Sequence, residues 1–246
     1  MIMKIRSIKA QLIVFLGSLA LYLYFTGKDT VFLSGILIAV FFSVLTDSLF
    51  SYFKNRKFTV TESSVVTGLI VGYVLSGDSS WWLMALAGIS AIASKHIIRF
   101  RGSHIFNPAA FGILFTVFLF GASTQWKAAY MWYALIPAGA YFAYRIRKLG
   151  LVVGYFAVSL LLYIPQAFLH NASILNILGY FNYFFILVMV VEPRTTPARY
   201  LPKMIFGAIT AVFIFAFYEI WVLPEAELLA LAAANLSGVL LERRKA

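Results

Sequence analysis

Apolar residues in this chain do not alternate and do not recur as a helical stripe. They come in blocks of about twenty, the length that carries an α-helix across a bilayer, separated by short polar breaks. Ten blocks can be marked: 10–26, 31–53, 60–76, 80–98 and 105–121, then 128–144, 149–169, 174–191, 201–221 and 225–241. They use most of the 246 residues, so the pattern predicts one polytopic membrane domain, 1–246, with no room for a soluble one.

Charge tests that division independently. With the loops numbered alternately and the N-terminus inside, the inner set holds six groups of three cations: Lys4, Arg6, Lys9; Lys54, Arg56, Lys57; Lys95, Arg99, Arg101; Arg145, Arg147, Lys148; Arg194, Arg199, Lys203; and Arg243, Arg244, Lys245. Only Lys28 and Lys127 fall outside, beside Asp29, Asp78, Glu225 and Glu227. Cytoplasmic loops are enriched in Lys and Arg, so the split predicts ten spans with both termini cytoplasmic, as in a multi-pass protein of the cytoplasmic (inner) membrane. The basic N-terminus before block 10–26 is expected to lead a retained first helix rather than a cleaved leader.

Composition changes the picture in two ways. The chain is 62% hydrophobic and 12% charged, with mean hydropathy +0.90, which makes the lipid bilayer its first partner. Its net charge of +11 lies in scattered clusters between apolar blocks and is no footprint for nucleic acid. There is no cysteine, which removes disulfides, thiolate chemistry and iron–sulfur ligation by this chain. His96 and His104 are expected in one inner loop and His170 outside, an arrangement that does not suit bis-histidine haem. Trp81, Trp82, Trp126 and Trp132 gather at predicted outer span ends as an aromatic belt.

Five blocks precede the middle and five follow, so any internal duplication is inverted in the membrane, with halves of approximately 1–121 and 122–246. Leu75-Ser-Gly-Asp-Ser-Ser-Trp81 followed by Gly88 runs parallel to Val191-Glu-Pro-Arg-Thr-Thr-Pro197 followed by Tyr200 and Gly207. A register pairing Thr67 with Thr195 and Asn107 with Asn235 sets loops against helices and is set aside. The third block of each half is broken. Residues 59–64 are polar, leaving about half a span in 65–75, and Asn176, Gly179 and Asn182 interrupt the approach to 183–191. Interrupted segments at matching places in two halves point to a midplane site.

Three stretches carry candidate chemistry. Ser63, Ser64 and Thr67 precede Gly68 and Gly72; they suit either a ligand at a broken helix or close helix packing with back-bonded hydroxyls. Asn107-Pro108 reads as a capped helix start after the loop 101–106. In Glu192-Pro-Arg-Thr-Thr-Pro197, two prolines frame Arg194, Thr195 and Thr196, which suits either a rigid inner loop with a salt bridge or, as two prolines favour, a kinked segment re-entering the bundle to meet an anionic ligand. The three stretches are expected to converge from the inner side. Asp47 suits an ion or proton path or, equally, an interfacial carboxylate near Lys54. No Walker loop, dinucleotide fingerprint or hydrolase triad is present.

Together these stretches resemble the RnfD/NqrB membrane subunits of ion-translocating electron-transport complexes. Ser63-Ser-Val-Val-Thr-Gly-Leu69 is similar to that family's Ser-x-x-Val-Thr-Gly-Leu segment. Ile105-Phe-Asn-Pro-Ala109 after Lys95-His96 is similar to its Phe-Asn-Pro-Ala motif, and Glu192-Pro-Arg-Thr-Thr-Pro197 to its Asp-Pro-x-Thr-x-Pro segment. The resemblance implies ten transmembrane helices in two inverted five-helix repeats with broken helices, urea-channel-like in fold. It also implies other membrane redox subunits as partners and electron transfer with a flavin, coupled to ion transport. It carries over Thr67, Asn107, Glu192 and Thr195 as flavin-site candidates, to which the residue reading adds Ser64, Arg194 and Thr196. Family members attach FMN to a Thr in an Asp-Gly-x-Ser-Gly-Ala-Thr-like loop after the fifth span. Here that loop is Gly121-Ala-Ser-Thr-Gln-Trp-Lys127, so Thr124 lacks its context and the flavin, FMN or riboflavin, is expected to be non-covalent. The competing expectations are a small-solute transporter or channel on the same fold, and a flavin-free scaffold.

Overall fold

The computed structural model describes residues 7–100, 102–171, 173, 177–179, 181–191, 196 and 199–243, with side chains through Val239. The chain folds as two compact units, Met1–Ala128 and Ala129–Ala246. Each of the ten apolar blocks contains helix. The first unit holds α1 (Ile8–Gly27), α2 (Thr30–Asn55), α3 (Glu62–Val74), α4 (Trp81–Ile97) and α5 (Pro108–Phe120), with a small hairpin, β1 (Arg99–Phe100) and β2 (Ser103–His104), between α4 and α5. The second holds α6 (Trp132–Arg145), α7 (Leu149–Leu169), the π-helical α8 (Phe185–Val190), α9 (Tyr200–Phe215), which continues as π-helix over Ala216–Ile220, and α10 (Ala226–Arg243).

Four helices are long and apolar enough to cross a membrane: Ile8–Gly27, Thr30–Asn55, Leu149–Leu169 and Tyr200–Ile220. Their outer faces carry bare apolar side chains. Phe25, Leu37, Leu161 and Leu201 are each more than 60% exposed, a surface that needs lipid rather than water. The protein is therefore an all-α multi-pass membrane protein.

The short helices are what position the site. At 13 residues each, α3 and α5 are about 20 Å long against a hydrocarbon core of about 30 Å. Helix α3 lies flat on α2 because its contact face has no side chains there. A Cβ on Gly68 would fall 2.5 Å from the Cα of Val40, and one on Gly72 2.7 Å from the Cα of Ile36. Beyond its C-terminus the chain turns extended, and Leu75 bridges to Thr124 in the segment after α5. Ser76 N–H donates to Ser123 O at 2.9 Å and Lys127 N–H to Tyr73 O at 2.9 Å. Those bonds tie residues 122–127 back onto the first unit, six residues past the half boundary read from the sequence. Helices α3 and α5 therefore run parallel, with both C-termini at one end of the unit and both N-termini at the other.

Candidate functional site

The two N-termini are built by different caps. At α3, Thr61 is extended (φ −100°, ψ 141°) and its hydroxyl accepts from Ser64 N–H. At α5, Asn107 Oδ1 accepts from Ala110 N–H at 3.1 Å while Pro108 fills the first helical position. Asn107 is 1% exposed, so this helix start is enclosed by protein. The chain reaches it through the hairpin, where Arg99 faces His104 and Phe100 faces Ser103. Gly102 turns it at φ +87°, a conformation that disfavours side chains. The sequence reading took residues 101–106 as loop and began the fifth block at 105. The helix starts at Pro108, because the strand pairing uses the backbone of 103–104 and Ile105 N–H bonds Ile98 O.

Behind α3 lies a buried charge cluster. Asp47, 2% exposed, accepts from Thr61 Oγ1 at 2.5 Å through one oxygen. Its other oxygen meets Lys95 Nζ at 3.2 Å and His96 Nε2 at 2.8 Å. The His96 ring stacks on Phe50 with centroids 4.5 Å apart. One carboxylate thus pins the capping residue of α3 to the last turn of α4. This corrects two expectations. Asp47 pairs with Lys95 and His96, not Lys54, which is exposed two turns further along α2. His96 belongs to α4 rather than to a loop. The local signal was in the chain: Lys95-His96 stands at the basic end of an apolar block, where the last turn of α4 can turn inward toward α2.

Ser64 and Thr67 are fully buried. Ser64 Oγ donates to Thr61 O at 2.8 Å and Thr67 Oγ1 to Ser63 O at 2.9 Å, so both hydroxyl protons are held by backbone carbonyls of the first turn. Close packing and back-bonding, one of the two sequence readings, describes how they sit. At the opposite end, Lys127 Nζ lies 2.8 Å from an Asp29 oxygen and holds that carboxyl below the usual value of 3.8.

In the second unit, Glu192, Arg194 and Thr195 lie outside the described residues. Thr196 is buried, and Lys148 Nζ donates to both its hydroxyl and its carbonyl oxygen. Lys203, equally buried, donates to Arg147 O at 2.7 Å. The sequence reading had grouped both lysines with the exposed basic clusters; their long stems let the ammonium reach carbonyls while the chain stays packed.

The geometry is one of two parallel short helices, each capped, each directing first-turn N–H groups and a positive dipole end to one end of the first unit. Three of the motif stretches fall on it: Ser63–Leu69 on α3, Lys95-His96 on α4 and Ile105–Ala109 at α5. The sequence profile of the NQR2, RnfD, RnfE family matches residues 3–136, which is 134 of the 246 positions and covers this arrangement entirely. The chain belongs to the NQR2, RnfD, RnfE family. Among curated proteins it is similar to the D subunit of the ion-translocating oxidoreductase complex of Buchnera aphidicola subsp. Baizongia pistaciae, 38% identical over 96 residues, 37% of this chain and 26% of that protein. It is also similar to the protein of the same name from Marinobacter nauticus, 35% identical over 74 residues, 28% of this chain and 21% of that protein. The matched stretches thus span about a quarter of those relatives' lengths.

Proposed function

We propose that this family member is a membrane subunit of an ion-translocating electron-transport complex, that it holds a flavin non-covalently at the N-terminal ends of α3 and α5, and that other membrane redox subunits assemble with it. The observation that carries the reading is the pair of capped helix starts, Thr61 at α3 and the protein-enclosed Asn107 at α5, beside the motifs by which the family is recognised. The donor set fits such a group. A flavin, when bound, supplies reversible electron uptake, and the charge it gains collects on its pyrimidine edge. First-turn N–H groups of α3 and α5 favour negative charge at that place. Ser64 and Thr67 set the floor with acceptor oxygens, and Asn107 fixes the α5 end. Asp47 keeps Lys95 and His96 compensated, so that the helix ends rather than free cations set the local potential. Thr124 is engaged in the Leu75 bridge on the opposite end and plays no part.

We further infer ten spans in two inverted five-helix repeats, seated in the cytoplasmic membrane with both termini inside. Two features support it. Packing within the units follows one scheme: α2 with α4 and α4 with α5 in the first, α7 with α9 and α9 with α10 in the second. Gly88 on α4 faces Ala39 O and Ser43 on α2, and Gly207 on α9 faces Leu151 O and Tyr155 on α7. The sequence register paired these two glycines, and each meets residues four apart on its partner helix.

The test is the absorption spectrum of the protein purified in mild detergent. Flavin bands that travel with the folded protein and leave completely on denaturation are expected. A folded, flavin-free protein from flavin-replete cells contradicts the reading, as does in-gel flavin fluorescence after denaturation.

A further inference from the structure

The second unit contains an amide that none of the described residues satisfies. Asn235 sits in the middle of α10, 1% exposed, and among the described residues neither its carboxamide oxygen nor its nitrogen has a hydrogen-bond partner. Its helix neighbours Leu231 and Ala234 are fully buried. Leaving a buried donor or acceptor bare is costly, and a leucine of similar size would avoid that cost. Interior amides of this kind are ordinarily met by ordered water.

An independent feature lies two turns toward the helix start. Glu227 occupies the same stripe as Leu231 and Asn235, at successive four-residue steps, about 12 Å from Asn235 along the axis. One of its oxygens accepts from Asn182 Nδ2 at 2.9 Å. The hydroxyls of Tyr155, Tyr163 and Tyr218 lie within electrostatic reach, and Ser159 hydrogen-bonds Tyr155. Two further carboxylates, Glu219 and Glu225, share this end, and the sequence has no Lys or Arg between Lys203 and Arg243. No cation pairs with Glu227 among the described residues. Asn182 also caps the π-helical α8 by accepting from Phe185 N–H, and Tyr218 belongs to the π-helical stretch of α9. Such stretches disturb the regular backbone ladder and are frequent at functional sites. Tyr218 and Glu219 are exposed, so the cluster has a way out.

We propose that α10 lines a hydrated proton site in the second unit: water held by Asn235, and a proton taken up and released by the Glu227 carboxylate. A proton suits the cluster better than a metal cation, because Asn182 turns an N–H to the carboxylate and, among the described residues, no three carboxylate or histidine side chains gather as a metal's ligands. Asp47, the buried carboxylate of the first unit, is already saturated by Thr61, Lys95 and His96 and offers no such place. The site stands on its own geometry; only its use in ion coupling rests on the function proposed above.

Radiolytic hydroxyl-radical footprinting of the purified full chain reads internal water directly. Leu228 and Leu231 are fully buried, so oxidation there reports water inside the unit. Wild type is expected to be labelled at Leu231. Asn235→Leu is expected to lose that labelling several-fold and Asn235→Ser to retain it, while Leu16, buried in the first unit, stays unlabelled throughout. An unlabelled Leu231 in wild type, or labelling unchanged in Asn235→Leu, overturns the water site. For the proton, infrared titration should show a protonated-carboxyl band that Glu227→Gln removes and that exchange of sodium for a bulky organic cation leaves in place. A missing band, or one that sodium displaces, overturns the proton assignment. A protein that shows both signals but binds no flavin would refute the proposed function and leave this site intact.

Discussion

At the residue scale, Asp47 does the most with the least exposure. Three donors from two places in the chain meet on its two oxygens, and one of them, Thr61, is also the cap of α3. Asp47→Asn removes the charge and leaves Lys95 and His96 facing a neutral amide. Stripping one partner from a buried ion pair costs on the order of 3 kcal/mol. The variant is expected to melt several degrees below wild type in the same detergent, and Asp47→Glu to recover part of the loss. Equal melting temperatures for Asp47→Asn and wild type would mean that the cluster is only decoration on α2. The basic end of the α4 block was legible in the sequence, but not the partner it meets. Asp47 and Lys95 are 48 positions apart, and their meeting depends on the parallel packing of α2 and α4, which no local pattern encodes. The caps were legible: Asn107-Pro108 announces a helix start from two residues alone, because an Asx acceptor and a missing N–H both belong to that position.

The elements show a similar division. Helix positions followed from the apolar blocks, since in lipid every backbone group must be satisfied within its own segment and helix is the means of doing so. The short hairpin at 99–104 was not legible, because two residues per strand leave no period to detect. Nor were the π-helical stretches, which arise from packing against neighbours rather than from residue type. What set α3 apart in the sequence was polarity before residue 65 together with Gly68 and Gly72, and both signals have their counterpart in its flat seat on α2. Gly68→Val tests the seat. Its side chain would overlap the backbone of Val40, and overpacking of this kind typically costs about 1–3 kcal/mol. Reduced thermal stability is expected, along with weaker flavin retention because α3 and its N-terminus are displaced. A valine variant with unchanged stability and flavin content would show that α3 moves freely on α2.

For the whole molecule, charge predicts the proposed sidedness and apolar length the proposed spans, and the proposed inverted repeat rests on both. The absence of cysteine makes the sidedness simple to measure. Ser103 and Ser123 are exposed and sit at opposite ends of α5. Single cysteines there should divide, Ser123→Cys reacting with impermeant reagents from outside intact cells and Ser103→Cys only after the membrane is opened. Reaction of both from outside would overturn the orientation. The central claim is the ligand site at the two helix starts, and flavin titration of Asn107→Asp tests it most directly. Aspartate caps a helix as well as asparagine, so the protein should still fold, with a somewhat lower melting temperature because the added charge is enclosed. An electron-rich ligand at that place should feel the same charge. The account predicts a folded protein whose flavin binding is weakened several-fold relative to wild type, followed by fluorescence quenching on the stripped protein. Equal flavin affinity in the two proteins, with both folded, would contradict it.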